Sequence, residues 1–271
     1  MTAKNENSLQ DRLRQQIEDY LKTLKLSRIR ARFDEELLAA AKGNLSTLQL
    51  IHRLLEIEVN SLTARRIERR IKDSNLPEKK LLSDFDFQFQ KSLDKAQVMH
   101  LASLSFVEQQ QGLILAGSSG TGKSHIAKAL LLLGCQKLYR CKYTTAADML
   151  KNLMAGLADG SLEKKMKIYI NPQILLIDEI GFDRLEQQST RNASLFFKVI
   201  DARYCRASTI LTTNIDFKDL GDYLGDPVIT TAIVDRMVHH STIINIQGPS
   251  WRMHESKKLN RSSKNKSAKK S

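Results

Sequence analysis

The residues with the plainest chemistry are Gly117, Ser118, Ser119, Gly120, Thr121, Gly122, Lys123 and Ser124. They match G-x-x-x-x-G-K-[ST], a loop that holds the phosphates of a nucleotide. Gly117 and Gly122 let the backbone turn with its N–H groups inward, where a side chain would block the phosphates. Lys123 would reach the β- and γ-phosphates, and the Ser124 hydroxyl would bind Mg²⁺. His125 follows and is a further candidate contact to the nucleotide. The flanks agree. Leu113 to Ala116 is a short apolar run that reads as a buried strand. His125 to Gln136 is helix-compatible, with Ile126, Ala129, Leu130 and Leu133 at helical spacing. The helix N-terminus adds its partial positive charge to the site.

A second group lies 55 residues beyond Lys123. There Ile174 to Ile177, a continuous apolar run of the kind found in central parallel strands, ends in Asp178-Glu179. Asp178 is placed to hold Mg²⁺ and Glu179 to polarise the attacking water. Asn214 follows the Ser208–Leu211 strand and two threonines; it is either a turn residue or a group that orients the water or touches the γ-phosphate. Two arginines remain, Arg236 in Val-Asp-Arg-Met and Arg252 after Ser250-Trp251. Each could pair with a carboxylate, or serve a phosphate in its own subunit or across an interface.

The elements that must position these groups alternate. Strands are expected at 113–116, 141–145, 174–177, 208–211 and 242–246, with helices between them at 125–136, 146–157, 161–168, 190–203, 219–224 and 229–239. That order predicts an α/β domain with a parallel sheet and helices on both faces. Ligands in such sheets bind at the carboxyl ends of the strands, where the loop, Asp178-Glu179 and Asn214 all fall.

Residues 8–75 read as helices instead. Leu9, Leu13, Ile17, Leu21 and Leu24 form one apolar stripe, and Ile29, Phe33, Leu37 and Leu38 a second. Gly43-Asn44 breaks the pattern, and Ser46 is placed to cap a long third helix. Arg65, Arg66, Arg69, Arg70 and Lys72 crowd one broad face at its end. Such a face could neutralise DNA phosphates. It could equally be a solvated face, or meet acidic groups of a neighbouring subunit. The expected organisation is a helical DNA-binding and oligomerisation domain at 1–75, a linker at 76–91, the nucleotide domain at 92–255 and a basic tail at 256–271. In the linker, Phe85, Phe87 and Phe89 alternate as in a short extended segment, either for packing or as a wall for the base. Ser92 is placed to cap a helix running to about Glu108.

The net charge is +13 over 271 residues, and the last sixteen hold seven basic residues and no acid. The tail cannot bury a core and is expected to be disordered; it suits nucleic acid or only solubility. Cys135, Cys141 and Cys205 show no C-x-x-C spacing and read as buried, reduced thiols. With no signal-like N-terminus and no apolar run long enough to span a bilayer, a cytoplasmic protein is expected.

Taken in order, these motifs resemble the IstB-like branch of the AAA+ ATPases, helpers of insertion-sequence transposition related to the DnaC-type helicase loaders. The resemblance covers about residues 8–255. It rests on GSSGTGKS, on PEKKLLSDFDFQF as the linker, and on TTAADML, LLIDEIGF, STILTTN and GDPVITTAIVDRMVHHSTIINIQGPSWR. It implies Walker A roles for Lys123 and Ser124, Walker B roles for Asp178 and Glu179, and sensor 1 for Asn214. It further implies an arginine finger acting in trans at Arg236 and sensor 2 at Arg252. Ser118 and Ser119 stand where the family has prolines, Ser124 where it has threonine, and Trp251 where it has tyrosine. The implied function is an ATP- and Mg²⁺-dependent homo-oligomer on duplex DNA that stimulates a cognate transposase. A helicase loader on single-stranded DNA is the second reading. A small-metabolite kinase is the third, and the helical basic N-terminal region counts against it.

Overall fold

A computed structural model describes residues 2–181, 190–216 and 226–258. The chain divides into two compact units, Met1–Glu68 and Arg69–Ser271.

Three helices make the first unit: α1 (Thr2–Thr23), α2 (Ser27–Lys42) and α3 (Thr47–Asp73), which continues past Glu68. The start of α3 is capped reciprocally. The Gln49 N–H donates to Ser46 Oγ at 3.3 Å, and the Ser46 N–H donates to Gln49 Oε1 at 2.8 Å. The start of α2 has no cap of its own. A carboxylate from α3 supplies one: Glu58 Oε2 accepts from the Arg28 and Ile29 N–H groups at 2.8 and 3.1 Å. The core here is thin. Ile29, Ala40 and Leu54 are buried, whereas Leu9, Leu13, Leu24 and Leu38 of the expected stripes are exposed.

The second unit carries a five-stranded parallel sheet in the order β2-β3-β4-β1-β5. Its strands are β1 (Gly112–Ala116), β2 (Cys141–Thr145), β3 (Ile174–Ile180), β4 (Ser208–Thr213) and β5 (Ser241–Asn245). Because successive strand residues face opposite ways, the central strands β1, β3 and β4 bury apolar groups on both faces. Ile114, Leu175, Ile177 and Leu211 pack into one core; Leu113, Leu115, Ile174, Leu176 and Ile210 pack into the other. The helices are α4 (Lys95–Ala102), α5 (Ser105–Glu108), α6 (Lys123–Gln136), α7 (Ala146–Ala158), α8 (Leu162–Ile170), α9 (Thr190–Arg203), α10 (Pro227–His239) and α11 (251–258).

Several boundaries differ from expectation, each for a local reason. The Ser92 helix starts instead at Lys95, where Asp94 accepts from the Ala96 N–H at 2.8 Å. It breaks at Leu104, whose φ is +63°. The alternating phenylalanines are not an extended segment. Asp86 Oδ1 accepts from the Gln88 and Phe89 N–H groups, both at 2.9 Å, and folds the stretch into a turn. β3 does not stop before Asp178-Glu179 but runs through them to Ile180 by a bulge against β4. Cys205 is exposed, while Cys135 and Cys141 are buried as expected. Residues 256–258 of the basic tail are helical. The expected helix at 219–224 and the rest of the tail lie outside the described residues.

One buried cation braces the sheet. Arg203 is 1% exposed and donates to the carbonyls of Tyr169, Ile170, Pro172 and Ser208 and to Thr209 Oγ1. It thereby ties the end of α8 to the start of β4. Burial pushes its pKa down to about 9. Among the described residues no helix is long and apolar enough to cross a membrane.

Candidate nucleotide site

The loop between β1 and α6 crosses the carboxyl ends of the strands. Gly117 has φ +136° and Gly122 has φ +99°, which favour glycine at both positions. The space that a side chain would need is filled by protein. At Gly117 a Cβ would strike the Ile246 carbonyl, and at Gly122 it would lie 2.5 Å from the Phe85 ring. Lys123, first residue of α6, donates from Nζ to the carbonyls of Gly117 at 2.7 Å and Ser118 at 2.8 Å. Burial lowers its pKa, with the Asp178 carboxylate opposing and the Arg252 guanidinium adding to the effect.

Asp178 is fully buried and gathers four side chains. Its Oδ1 accepts from Ser124 Oγ at 2.8 Å and Thr212 Oγ1 at 2.5 Å. Its Oδ2 accepts from the Tyr143 hydroxyl at 3.3 Å and faces Lys128 Nζ at 3.3 Å. Burial first, then the carboxylate beside it, pushes the Tyr143 phenol above its ordinary range. Thr212 also accepts from the Glu179 N–H at 2.9 Å, so one hydroxyl fixes both members of the acidic pair. The bulge turns the Glu179 side chain into the open, at φ +62°.

Beside this cluster lies an open cavity of about 750 Å³, lined by residues 119–125, Lys128, Glu179, Thr212, Thr213, Asn214, Trp251, Arg252 and part of the linker, with Asp178 buried behind it. Asn214 sits just past β4, and its buried Oδ1 meets no donor among the described residues. Arg252, on α11, reaches Ser119 Oγ at 3.4 Å, and the Trp251 N–H donates to the Gly120 carbonyl at 2.9 Å. The His125 ring nitrogen Nε2 lies 2.8 Å from the Leu81 carbonyl, and its ring meets Phe85 edge-on. From the linker, Phe85 and Phe89 line the cavity while Phe87 does not. Gln90 anchors the linker to the loop through the Thr121 carbonyl at 2.9 Å.

Arg236 is elsewhere. Its Nε pairs with Asp201 at 2.7 Å, its Nη1 reaches the Ala232 carbonyl, and its guanidinium lies 4.8 Å over the Phe197 ring. It does not line the cavity. On α3, Arg65 pairs with Glu58 and Arg69 with Asp73, Arg66 and Lys72 are exposed, and Arg70 is half-buried.

Sequence reasoning missed Lys128, Tyr143, Thr212 and Gln90. Lys128 had a usable signal, since it follows Ser124 by four residues and so shares its helix face. Thr212 precedes Asn214 by two on the same strand end. Among the described residues no three His, Cys, Asp or Glu side chains converge as a metal cluster. The pair Ser124–Asp178 nevertheless suits Mg²⁺, which takes one or two protein oxygens and completes its shell with phosphates and water.

Comparison with known proteins points to a family of ATP-binding proteins. Residues 19–259 match the profile of the family described as IstB-like ATP binding protein. The ATP-binding protein of insertion sequence IS5376 from Geobacillus stearothermophilus is 35% identical over 243 residues, 90% of this chain and 96% of the relative. That of IS21 from Pseudomonas aeruginosa is 36% identical over 250 residues, 92% and 93% of the two chains. Among solved structures, DnaI aligns with a TM-score of 0.52 at 20% identity, over 62% of this chain and 91% of its own. DnaA from Aquifex aeolicus, bound to an ATP analogue, aligns with a TM-score of 0.51 at 20% identity, over 62% and 50%.

Proposed function

The chain belongs to the IstB-like ATP-binding proteins, a branch of the P-loop AAA+ fold, and from that premise we propose an ATP-hydrolysing helper of transposition. The observation that carries the reading is the convergence of Lys123, Ser124, Glu179 and Asn214 on one cavity at the strand ends, with the buried Asp178 hydrogen-bonded directly behind Ser124. The loop N–H groups and Lys123 hold the β- and γ-phosphates of ATP. Ser124 and Asp178 hold Mg²⁺, which when bound offsets charge on the phosphate oxygens. Glu179 accepts a proton from the attacking water, and Asn214 orients that water. Arg252 faces the phosphates in its own subunit, and Arg236 serves the site of a neighbour. With ATP bound, copies assemble on duplex DNA through the Arg65–Lys72 face, and the assembly stimulates a cognate transposase; hydrolysis takes it apart. The insertion-sequence relatives support the transposition reading.

Binding to fluorescent duplex DNA, with and without a non-hydrolysable ATP analogue, tests the proposal. The analogue should tighten binding and produce large oligomers. Charge reversal at Arg65, Arg66, Arg69 and Arg70 should weaken binding to all sequences, lowering the log–log salt slope by about 0.9 per lost phosphate contact. Deletion of residues 256–271 is the control. DNA binding indifferent to the analogue, in protein shown to bind ATP, overturns the coupling; an unchanged slope moves the DNA face elsewhere.

A further inference from the structure

Asp178 already has a cation at its side. The Lys128 ammonium stands 3.3 Å from Oδ2, on the opposite oxygen from Ser124 and Thr212, and the Lys128 side chain is only 16% exposed. The carboxylate itself is fully buried. Lys123, the other nearby ammonium, spends its hydrogen bonds on the carbonyls of Gly117 and Ser118. Lys128 is therefore the direct ion-pair partner of this buried acid among the described residues.

A divalent cation bound at Asp178 and Ser124 would share that carboxylate with Lys128. Two like charges a few ångströms apart in a buried setting repel, and screening by salt is weak there. Lys128 is also held from a second side. Its ammonium lies 5.3 Å over the Tyr143 ring, whose face attracts cations. The side chain lines the cavity, where triphosphate oxygens would offer it new acceptors.

We propose that Lys128 is the resident counter-ion of Asp178: it opposes divalent metal arriving alone and yields when metal and nucleotide phosphates arrive together. Lys128 is thus a positioning residue that couples metal entry to nucleotide entry. The inference rests on the reading of Asp178 as the metal carboxylate. It concerns the order of binding, which that reading leaves open.

Mn²⁺ titration followed by electron paramagnetic resonance of the free ion tests it on the full-length protein. In the wild type, Mn²⁺ alone should bind at least about tenfold more weakly than Mn²⁺ with an ATP analogue, once the analogue's own Mn²⁺ binding is subtracted; the share of that difference due to Lys128 is the part its replacement removes. Lys128→Met should tighten Mn²⁺ binding without nucleotide by about tenfold and shrink the difference between the two conditions. Lys128→Arg keeps the charge and should behave as the wild type does. A Lys128→Met protein that melts earlier in EDTA but binds Mn²⁺ alone no more tightly than the wild type overturns the proposal and leaves a purely structural ion pair. The wild-type comparison needs no variant: equal Mn²⁺ affinity with and without the analogue is equally fatal. Asp178→Asn separates the two ideas. If it binds Mn²⁺ with nucleotide as the wild type does, Asp178 is not the metal carboxylate, and the counter-ion proposal falls with that reading.

Discussion

Glu179 holds its backbone at φ +62°, a region that costs a side-chain-bearing residue roughly 1–2 kcal/mol. The strain is sustained by the Thr212 hydroxyl on its N–H and by the bulge between Ile177 and Ile180. The side chain itself is exposed and contributes little packing. Two substitutions should therefore separate stability from turnover. Glu179→Gly should stabilise the protein by about 0.5–1 kcal/mol, because glycine adopts this φ without strain, while ATP hydrolysis is lost. Glu179→Gln should leave ATP binding intact and slow hydrolysis by about 10²–10⁴-fold, since the carboxamide cannot take the proton. Thermal melts and steady-state phosphate release read both effects; normal hydrolysis by the glutamine variant removes Glu179 from the mechanism. The pair Asp178-Glu179 was legible because four apolar residues precede it. The bulge that turns one acid inward and the other outward was not, since register depends on the neighbouring strand.

Among the elements, α2 depends on a residue it does not contain. Leu26 at its start offers no side-chain oxygen, and Glu58 on α3 takes the place of a local cap. Glu58→Ala should leave the Arg28 and Ile29 N–H groups without their acceptor, at a cost of about 1–3 kcal/mol. It also frees Arg65, which pairs with Glu58 at 3.5 Å. Hydrogen exchange should accelerate at residues 27–33 and stay unchanged across the sheet. Equal exchange throughout would mean that α2 is held by its packing alone. Tertiary caps of this kind leave no sequence signal, because residues 28 and 58 are linked only in space. Local chemistry was legible by contrast: Ser46 and Gln49 cap α3 reciprocally, although only Ser46 was foreseen. The linker shows the boundary between the two cases. Alternating phenylalanines suggested an extended strand, yet Asp86 two residues before Gln88 carries the turn signal that prevailed. The five strands could be read from local sequence, β1 and β3 from their apolar runs, whereas their order, with β1 between β4 and β5, could not.

At the scale of the whole molecule, what separates the two late arginines is where the fold puts them. Arg252 reaches Ser119 of its own phosphate loop at 3.4 Å. Arg236 is held away from the cavity by Asp201, Ala232 and Phe197, with its side chain still 30% exposed. Among the described residues its Nη2 has no hydrogen-bond partner, which under the proposed reading leaves it for a neighbouring copy. Negative charge grows on the transferred phosphoryl oxygens during hydrolysis, and an arginine delivered by a neighbour adds about 10³–10⁵ in rate in other NTPases. Trans action makes a sharp expectation for mixtures. Arg236→Ala and Lys123→Ala should each be nearly inactive alone. Mixed, they form some joints with Lys123 intact on one subunit and Arg236 intact on the next, and those joints alone can turn over. Phosphate release should return to a fraction of wild type, and rise with protein concentration and with duplex DNA, because both favour assembly. Asp201→Ala should lower turnover in the same way, with ATP affinity unchanged, because the proposed finger then loses its hold. If mixing restores nothing while mixed oligomers are seen to form, Arg236 works inside its own subunit or has no part in turnover, and ATP is not read at a joint between copies.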